Sequence, residues 1–145
     1  MAHPNIVLVS APTPAGESFV KLLQTRNVPF AVIVNNAAER KRMSIIGADR
    51  IVEVNTAKEE TWIVPEVEVG KVFLFESSLA LICRYIQICR SWTTEPIYVL
   101  TESHQPRHVY KGLGASYVIH SHGLNCEFLV TDDLIETAKG GSFHA

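Results

Sequence analysis

A doubly wound α/β fold, three layers with a parallel sheet in the middle, follows from three features of the 145-residue sequence. Six short runs rich in Val and Ile recur along it: Ile6 to Val9, Phe30 to Val34, Arg50 to Val54, Val72 to Phe75, Ile97 to Leu100 and Tyr117 to Ile119. These runs are continuously apolar rather than alternating, which suits strands covered on both faces. The stretches between most of them carry helix punctuation, giving the strand–helix alternation of a parallel sheet. Finally, Ile46-Gly47-Ala48-Asp49-Arg50-Ile51-Val52 is echoed by Leu113-Gly114-Ala115-Ser116-Tyr117-Val118-Ile119, the same helix-to-strand junction in each half.

The punctuation places each helix. After the first strand Thr13 is a good N-cap, Pro14 suits the first helical position, and Ala15, Phe19, Leu22 and Leu23 recur at helical spacing before Asn27 and Pro29 end the helix. Asn36 and Glu39 are spaced like a capping box for the second helix, which stops at Gly47. Leu79 to Arg90 reads as a third helix, apolar almost all round, and therefore well buried or at an interface. A fourth is announced by Pro106 and ended by Gly114. Asn55 to Gly70 reads as a loop with one helical turn. Residues 1–122 form the folded domain. From residue 123 to 145 a tail is expected, with one short helix, Asp132 to Lys139, closed by Gly140 and Gly141. Two halves of like design give a Rossmann-like sheet of strand order 3-2-1-4-5-6.

Composition excludes several functions. Hydrophobic residues make up 47% and charged residues 19%, enough to build a core and far from the signature of disorder. A length of 145 residues leaves room for one domain, not for the two of a dehydrogenase. Thirteen Lys and Arg against fifteen Asp and Glu give a net charge of −2, so no overall positive field exists for nucleic acid or an anionic membrane. No apolar run approaches the roughly 18 residues of a membrane span, and no signal peptide precedes the first strand, so direct membrane insertion is not expected and a cytoplasmic location is. Cys83, Cys89 and Cys126 show no paired spacing and read as reduced thiols.

In a doubly wound sheet a ligand lies across the carboxyl ends of the strands, where strand order reverses. The first strand-to-helix turn, Ser10-Ala11-Pro12-Thr13-Pro14-Ala15-Gly16, is therefore the expected phosphate-binding segment. Glycines there let backbone N–H groups approach a pyrophosphate. Only Gly16 is glycine, with Ala11 and Thr13, or Ser10 and Thr13, at the other positions. Pro12 and Pro14 remove two donors, Glu17 puts a carboxylate in the first turn, and Thr13 retains a hydroxyl for phosphate. A small-residue turn that has lost phosphate binding stands beside this reading. At the end of the second strand, where a ribose-binding acid is usual, the chain has Asn35 and Asn36. Arg40, Lys41 and Arg42 follow, either for a 2′-phosphate or, by preference, as the solvated face of a helix. Ser77 and Ser78 after the fourth strand touch a ligand or cap the next helix.

The strand Ile97 to Leu100, the turn Thr101-Glu102-Ser103-His104-Gln105-Pro106, the next helix and the Leu113 to Ile119 junction resemble the second half of TrkA-N domains, also called RCK domains. Gly47-Ala48-Asp49-Arg50-Ile51-Val52 and Asn55-Thr56-Ala57 likewise resemble their third strand and the turn after it. The resemblance covers about residues 5–121 in element order. It implies a cytoplasmic module that binds NAD(H), ATP or ADP, forms dimers or rings, and controls potassium channels or transporters. It places a ligand against Ser10, Ala11, Pro12, Thr13, Gly16, Asn35, Asn36, Arg40, Asn55, Thr56, Ser77 and Ser78. The chain departs from that pattern where Ser10, Pro12 and Thr13 replace glycines and where Asn35 and Asn55 replace acids.

A second resemblance is to NmrA-type reductases, whose Gly-Ala-Thr-Gly-x-x-Gly turn lines up with Ser10 to Gly16. Active members use a Tyr-x-x-x-Lys pair, and none of Tyr85, Tyr98, Tyr110 or Tyr117 has Lys four residues later. No Gly-x-Ser-x-Gly elbow is present either. His104, His108, His120 and His122 are placed so that they could gather near one sheet edge, but lack the Cys or acid that would complete a metal spacing. The expected function is accordingly a non-catalytic nucleotide-binding regulator, homodimeric through the third helix and the tail and serving a channel or transporter subunit. The alternatives are a reductase or redox-sensor relative, and an interaction module with no ligand.

Overall fold

The first strand, β1 (Ile6–Ser10), is buried along its whole length, and its residues alternate between two cores. Val7 and Val9 face one side and Ile6 and Leu8 the other, the period-two geometry of a strand covered on both faces. The computed structural model describes residues 6–58, 65, 68–102, 107–120 and 129–130. Along them follow α1 (Pro14–Thr25), β2 (Phe30–Val34), α2 (Ala37–Ile46), β3 (Ile51–Glu53), β4 (Val69–Phe75), α3 (Leu79–Trp92), β5 (Ile97–Thr101), α4 (Arg107–Leu113) and β6 (Tyr117–His120). The strands pair in parallel in the order β3-β2-β1-β4-β5-β6, as the sequence implies.

One core joins β1, β2 and β4 to α1 and α2 through Phe19, Leu23, Val34, Met43, Phe73 and Phe75. The other joins the sheet to α3 and α4 through Ile82, Tyr85, Ile86, Val99 and Tyr110. Fully burying each such aliphatic or aromatic side chain contributes about 1.5–3 kcal/mol, which is what holds helices to both faces. Leu129 and Val130, in the expected tail, are buried in the first core. The helix expected at Asp132 to Lys139 lies outside the described residues.

The helix signals act as the sequence implies. Thr13 caps α1 by accepting a hydrogen bond from Gly16 N at 3.1 Å, and Asn36 caps α2 by accepting one from Glu39 N at 2.8 Å. The capping box is offset by one residue, since the Glu39 carboxylate accepts from Asn35 N rather than Asn36 N. Asn27 ends α1 with φ +56°, and Gly47 and Gly114 end α2 and α4 at φ +103° and +125°, a region costly for any residue with a Cβ.

The structure departs from the sequence pattern at three elements. The fourth strand begins at Val69 rather than Val72, because Ile6 of β1 pairs with Val69, so Val69 and Gly70 are strand rather than loop. The third strand is shorter than Arg50 to Val54, its pairing with β2 running only from Ile51 to Glu53. The third helix extends past Arg90 to Trp92 and is amphipathic rather than apolar all round. Arg84, Gln87 and Ser91, at helical spacing, form an exposed stripe opposite the buried Ile82, Tyr85, Ile86 and Cys89.

The two halves are built alike beyond the short echo. Gly47 N donates to Ser44 O and Ala48 N to Met43 O, while Gly114 N donates to Lys111 O and Ala115 N to Tyr110 O, four bonds of 3.0–3.1 Å. Gln24 at the end of α1 reaches Ile46 O at 3.3 Å, and Arg90 near the end of α3 reaches Gly114 O at 2.9 Å.

Candidate functional site

Because all six strands are parallel, the residues that follow them share one edge. Pro12 and Thr13 leave β1, Asn35 and Asn36 leave β2, Asn55 and Thr56 follow β3, Glu76 to Ser78 follow β4 and Glu102 follows β5. Strand order reverses between β1 and β4, so this edge is where a doubly wound fold binds ligands.

The first turn is organised by packing. A Cβ on Gly16 would stand 2.7 Å from Ala11 Cα and 3.2 Å from the Phe75 ring, so only glycine lets α1 approach the end of β1. Gly16 N is also engaged by the Thr13 hydroxyl. With Pro12 and Pro14 lacking N–H groups, residues 12–16 can offer an anion at most the amides of Thr13 and Ala15.

Beside this turn, a cleft of about 180 Å³ opens between the ends of β1 and β2, lined by Ser10, Ala11, Pro12, Ile33, Val34, Glu39, Arg42 and Met43. Arg42 reaches from α2 to the Glu17 carboxylate on α1, and this hydrogen-bonded pairing raises the guanidinium pKa further. Glu17 thus has a cation of its own at the α1 N-terminus. Below the cleft Tyr85 is fully buried, its phenol close to Ser10 but without a well-aligned hydrogen bond, and burial pushes its pKa up. A larger open groove of about 610 Å³ runs along β3 and α2, lined by residues such as Arg40, Ser44, Asp49 and Arg50. It belongs to the edge strand, not to the crossing of the two halves.

The asparagines are tied into the backbone. Asn35 Oδ1 accepts from Thr56 N at 3.1 Å, joining the ends of β2 and β3, and Asn55 Oδ1 accepts from Ala57 N at 2.9 Å in a local turn. Arg40 lies 3.4 Å from Glu53 in an exposed ion pair. Ser78 caps α3, accepting from Leu81 N at 3.2 Å, with Ser77 exposed beside it. The structure therefore brings Ser10, Ala11 and Pro12 to one cleft and Asn35 and Thr56 to one bond, while Arg40, Asn36 and Ser78 serve pairs or caps.

Sequence reasoning missed Glu76. It follows β4 directly, and its carboxylate accepts from Thr101 Oγ1 at 2.6 Å and from the Tyr110 hydroxyl. Burial and this carboxylate push the Tyr110 phenol up, and Cys83, half-buried, is raised by burial and by the Glu76 charge. The signal was present: Glu76 is the first charged residue after the apolar run Val72 to Phe75, at the point where strand order reverses. Thr13, Ala15, Phe75, Glu76, Leu100, Thr101 and Glu102 border a second cleft here, of about 10 Å³, the space of one water. Of the four histidines, His108 is exposed on α4 and His120 half-buried at the end of β6, whereas His104 and His122 lie outside the described residues. Among the described residues no three His, Cys, Asp or Glu side chains converge as metal ligands, and no helix is long and apolar enough to cross a membrane.

Neither a protein-family model nor a curated protein matches the sequence. Solved structures do match the fold. The TrkA-N domain of the inner membrane protein ybaL from Escherichia coli superposes with a TM-score of 0.65 at 17% identity, over 83% of this chain and 90% of that one. The NAD(P)-binding domain of an exopolyphosphatase-related protein from Archaeoglobus fulgidus gives 0.65 at 15% identity, over 81% and 88%. The GsuK channel bound to NAD gives 0.64 at 15% identity, over 80% of this chain and 21% of that one. The likeness to TrkA-N and RCK domains that the sequence carries is thus a likeness of the whole fold.

Proposed function

We propose that this chain is a non-catalytic regulatory domain that binds NAD(H) or another adenine nucleotide across the carboxyl ends of its strands and signals occupancy to a channel or transporter subunit. The observation that carries this reading is the cleft between β1 and β2, at the edge where the fold binds nucleotides, walled by Ala11, Pro12, Val34 and Met43 and bordered by Arg42. Apolar side chains beside a planar guanidinium suit an adenine ring. The match to a channel bound to NAD supports the ligand class and the kind of partner. Potassium transport is what the family resemblance adds.

Against a reductase of the Tyr-x-x-x-Lys type stands the burial of Tyr85 and Tyr110, which pushes both phenols up. A second reading, an interaction module without ligand, is favoured by the prolines that leave at most two free amides at the first turn. Homodimerisation belongs to the proposal as well, and sedimentation over a range of concentrations tests it.

Calorimetric titration of nucleotide-stripped protein with NAD, NADH, NADPH, ATP and ADP separates the readings. Micromolar binding of one, weakened about tenfold or more by Arg42→Glu, supports the cleft, since a lost charge-assisted contact is of that size. No binding by any supports the ligand-free module.

A further inference from the structure

The alignment of the two halves assigns a residue that the first half lacks. The junctions at Gly47 and Gly114 are 67 positions apart, and the same spacing relates Pro29 to Pro96, Val32 to Val99 and Met43 to Tyr110 without a gap. Strand pairing obeys it too: Val32 pairs with Ile51 between β2 and β3, and Val99 with Val118 between β5 and β6. So do the hydrogen bonds that close α2 and α4. On this register Asn35, just past β2, corresponds to Glu102, just past β5.

In a doubly wound fold each half holds one nucleotide, and in the first half an acid after the second strand accepts the ribose hydroxyls. A carboxylate suits a vicinal diol because it offers two acceptor oxygens and no donor. In the first half that place is held by a neutral amide whose oxygen is engaged by Thr56 N. In the second half it is held by Glu102, which is exposed, makes no hydrogen bond or ion pair among the described residues, and borders the cleft between the N-terminus of α1 and the ends of β4 and β5. Its neighbour Glu76 is held by Thr101 and Tyr110. Among the described residues that follow β4 and β5, Glu102 is therefore the carboxylate with acceptor capacity to spare.

We infer that Glu102 receives the hydroxyls of the second ribose of a bound dinucleotide, so that this chain keeps its ribose acid in the half opposite to the usual one. The inference rests on the nucleotide-binding reading and deepens it. It makes Glu102 a specificity residue, favouring a dinucleotide over a mononucleotide that has no second ribose.

The test is calorimetric titration of wild type and of Glu102→Gln and Glu102→Ala with NAD and, separately, with ADP. An exposed position leaves the melting temperature unchanged, so folding is not at issue. NAD binding weakened about tenfold or more in both variants, with ADP affinity unaltered, is the expected result. NAD binding that is unchanged, or NAD and ADP binding that weaken in parallel, overturns the inference while leaving the nucleotide reading in place. A wild type that binds neither NAD nor ADP overturns the inference, and one that also fails to bind NADH, NADPH and ATP overturns the nucleotide reading with it.

Discussion

Tyr110, fully buried on α4, donates its hydroxyl to the Glu76 carboxylate at the end of β4. This bond ties the helix that follows β5 to the strand at the crossing, and Thr101 Oγ1 completes it from β5 at 2.6 Å. Hydrogen bonds to a charged acceptor are worth about 1.5–3 kcal/mol, and removing the donor leaves a carboxylate short of a partner. Tyr110→Phe should therefore lower stability by about 1–2 kcal/mol in urea denaturation, with an unchanged far-ultraviolet spectrum. A midpoint equal to that of wild type would show that the bond contributes nothing.

Two glycines should respond in opposite directions to alanine. At Gly16 a Cβ meets Ala11 Cα at 2.7 Å, backbone that cannot yield, so Gly16→Ala should cost about 1–3 kcal/mol from overpacking. At Gly112, within α4, a Cβ meets nothing within 4 Å, and Gly112→Ala should stabilise by up to about 1 kcal/mol through helix propensity. Thermal melting of the two variants compares them, and loss of ligand binding in Gly16→Ala would report packing before contact.

Buried acids set the alkaline limit. The Cys89 thiol, fully buried on α3, is pushed up to about 12 from an ordinary value of 9.0, chiefly by burial. The folded state then holds its proton more tightly than the unfolded state, so this contribution is complete below pH 9 and is lost as pH rises towards 12. One such group gives a slope of at most about 1.4 kcal/mol per pH unit. Tyr85 and Tyr110 are shifted in the same direction. Urea midpoints should fall steadily above pH 9, and Cys89→Ala should flatten part of that fall. A midpoint independent of pH up to 11 would contradict the burial of this thiol.

Arg90 joins three carbonyls, Gly114 O at 2.9 Å and Thr93 O and Glu95 O at 2.7 Å each. It closes α3, the turn before β5 and the end of α4 with one side chain. Arg90→Met keeps much of the apolar stem and leaves those carbonyls without their donor, so a loss of about 2 kcal/mol or more is expected in chemical denaturation. A loss below about 0.5 kcal/mol would mean that water replaces the guanidinium.

The fold was legible because its signals are local. Apolar runs such as Phe30 to Val34 mark strands covered on both faces, and Thr13, Asn36, Gly47 and Gly114 mark helix ends by chemistry that needs no tertiary context. The start of β4 was not legible, since Val69 and Gly70 become strand only through pairing with β1. Nor was the polar stripe of α3, where only Arg84, Gln87 and Ser91 stand against many apolar neighbours. For the site, residue types at the right turn were visible, but their partners were not. Asn35 engages Thr56 and Arg42 engages Glu17 across different elements, and each pairing decides which atoms remain for a ligand. Glu76 escaped notice because its importance comes from Thr101 and Tyr110, which the chain brings to it from 25 and 34 residues away.

Binding of a nucleotide at the carboxyl edge can be read residue by residue in two-dimensional amide NMR of the labelled protein titrated with NAD. Saturable shifts are expected at Ala11, Thr13, Ala15, Asn35 and Glu102, with residues at the opposite edge of the sheet, such as Val28 and Glu95, unmoved. No saturable shift up to millimolar NAD, or shifts centred on the opposite edge, would contradict it.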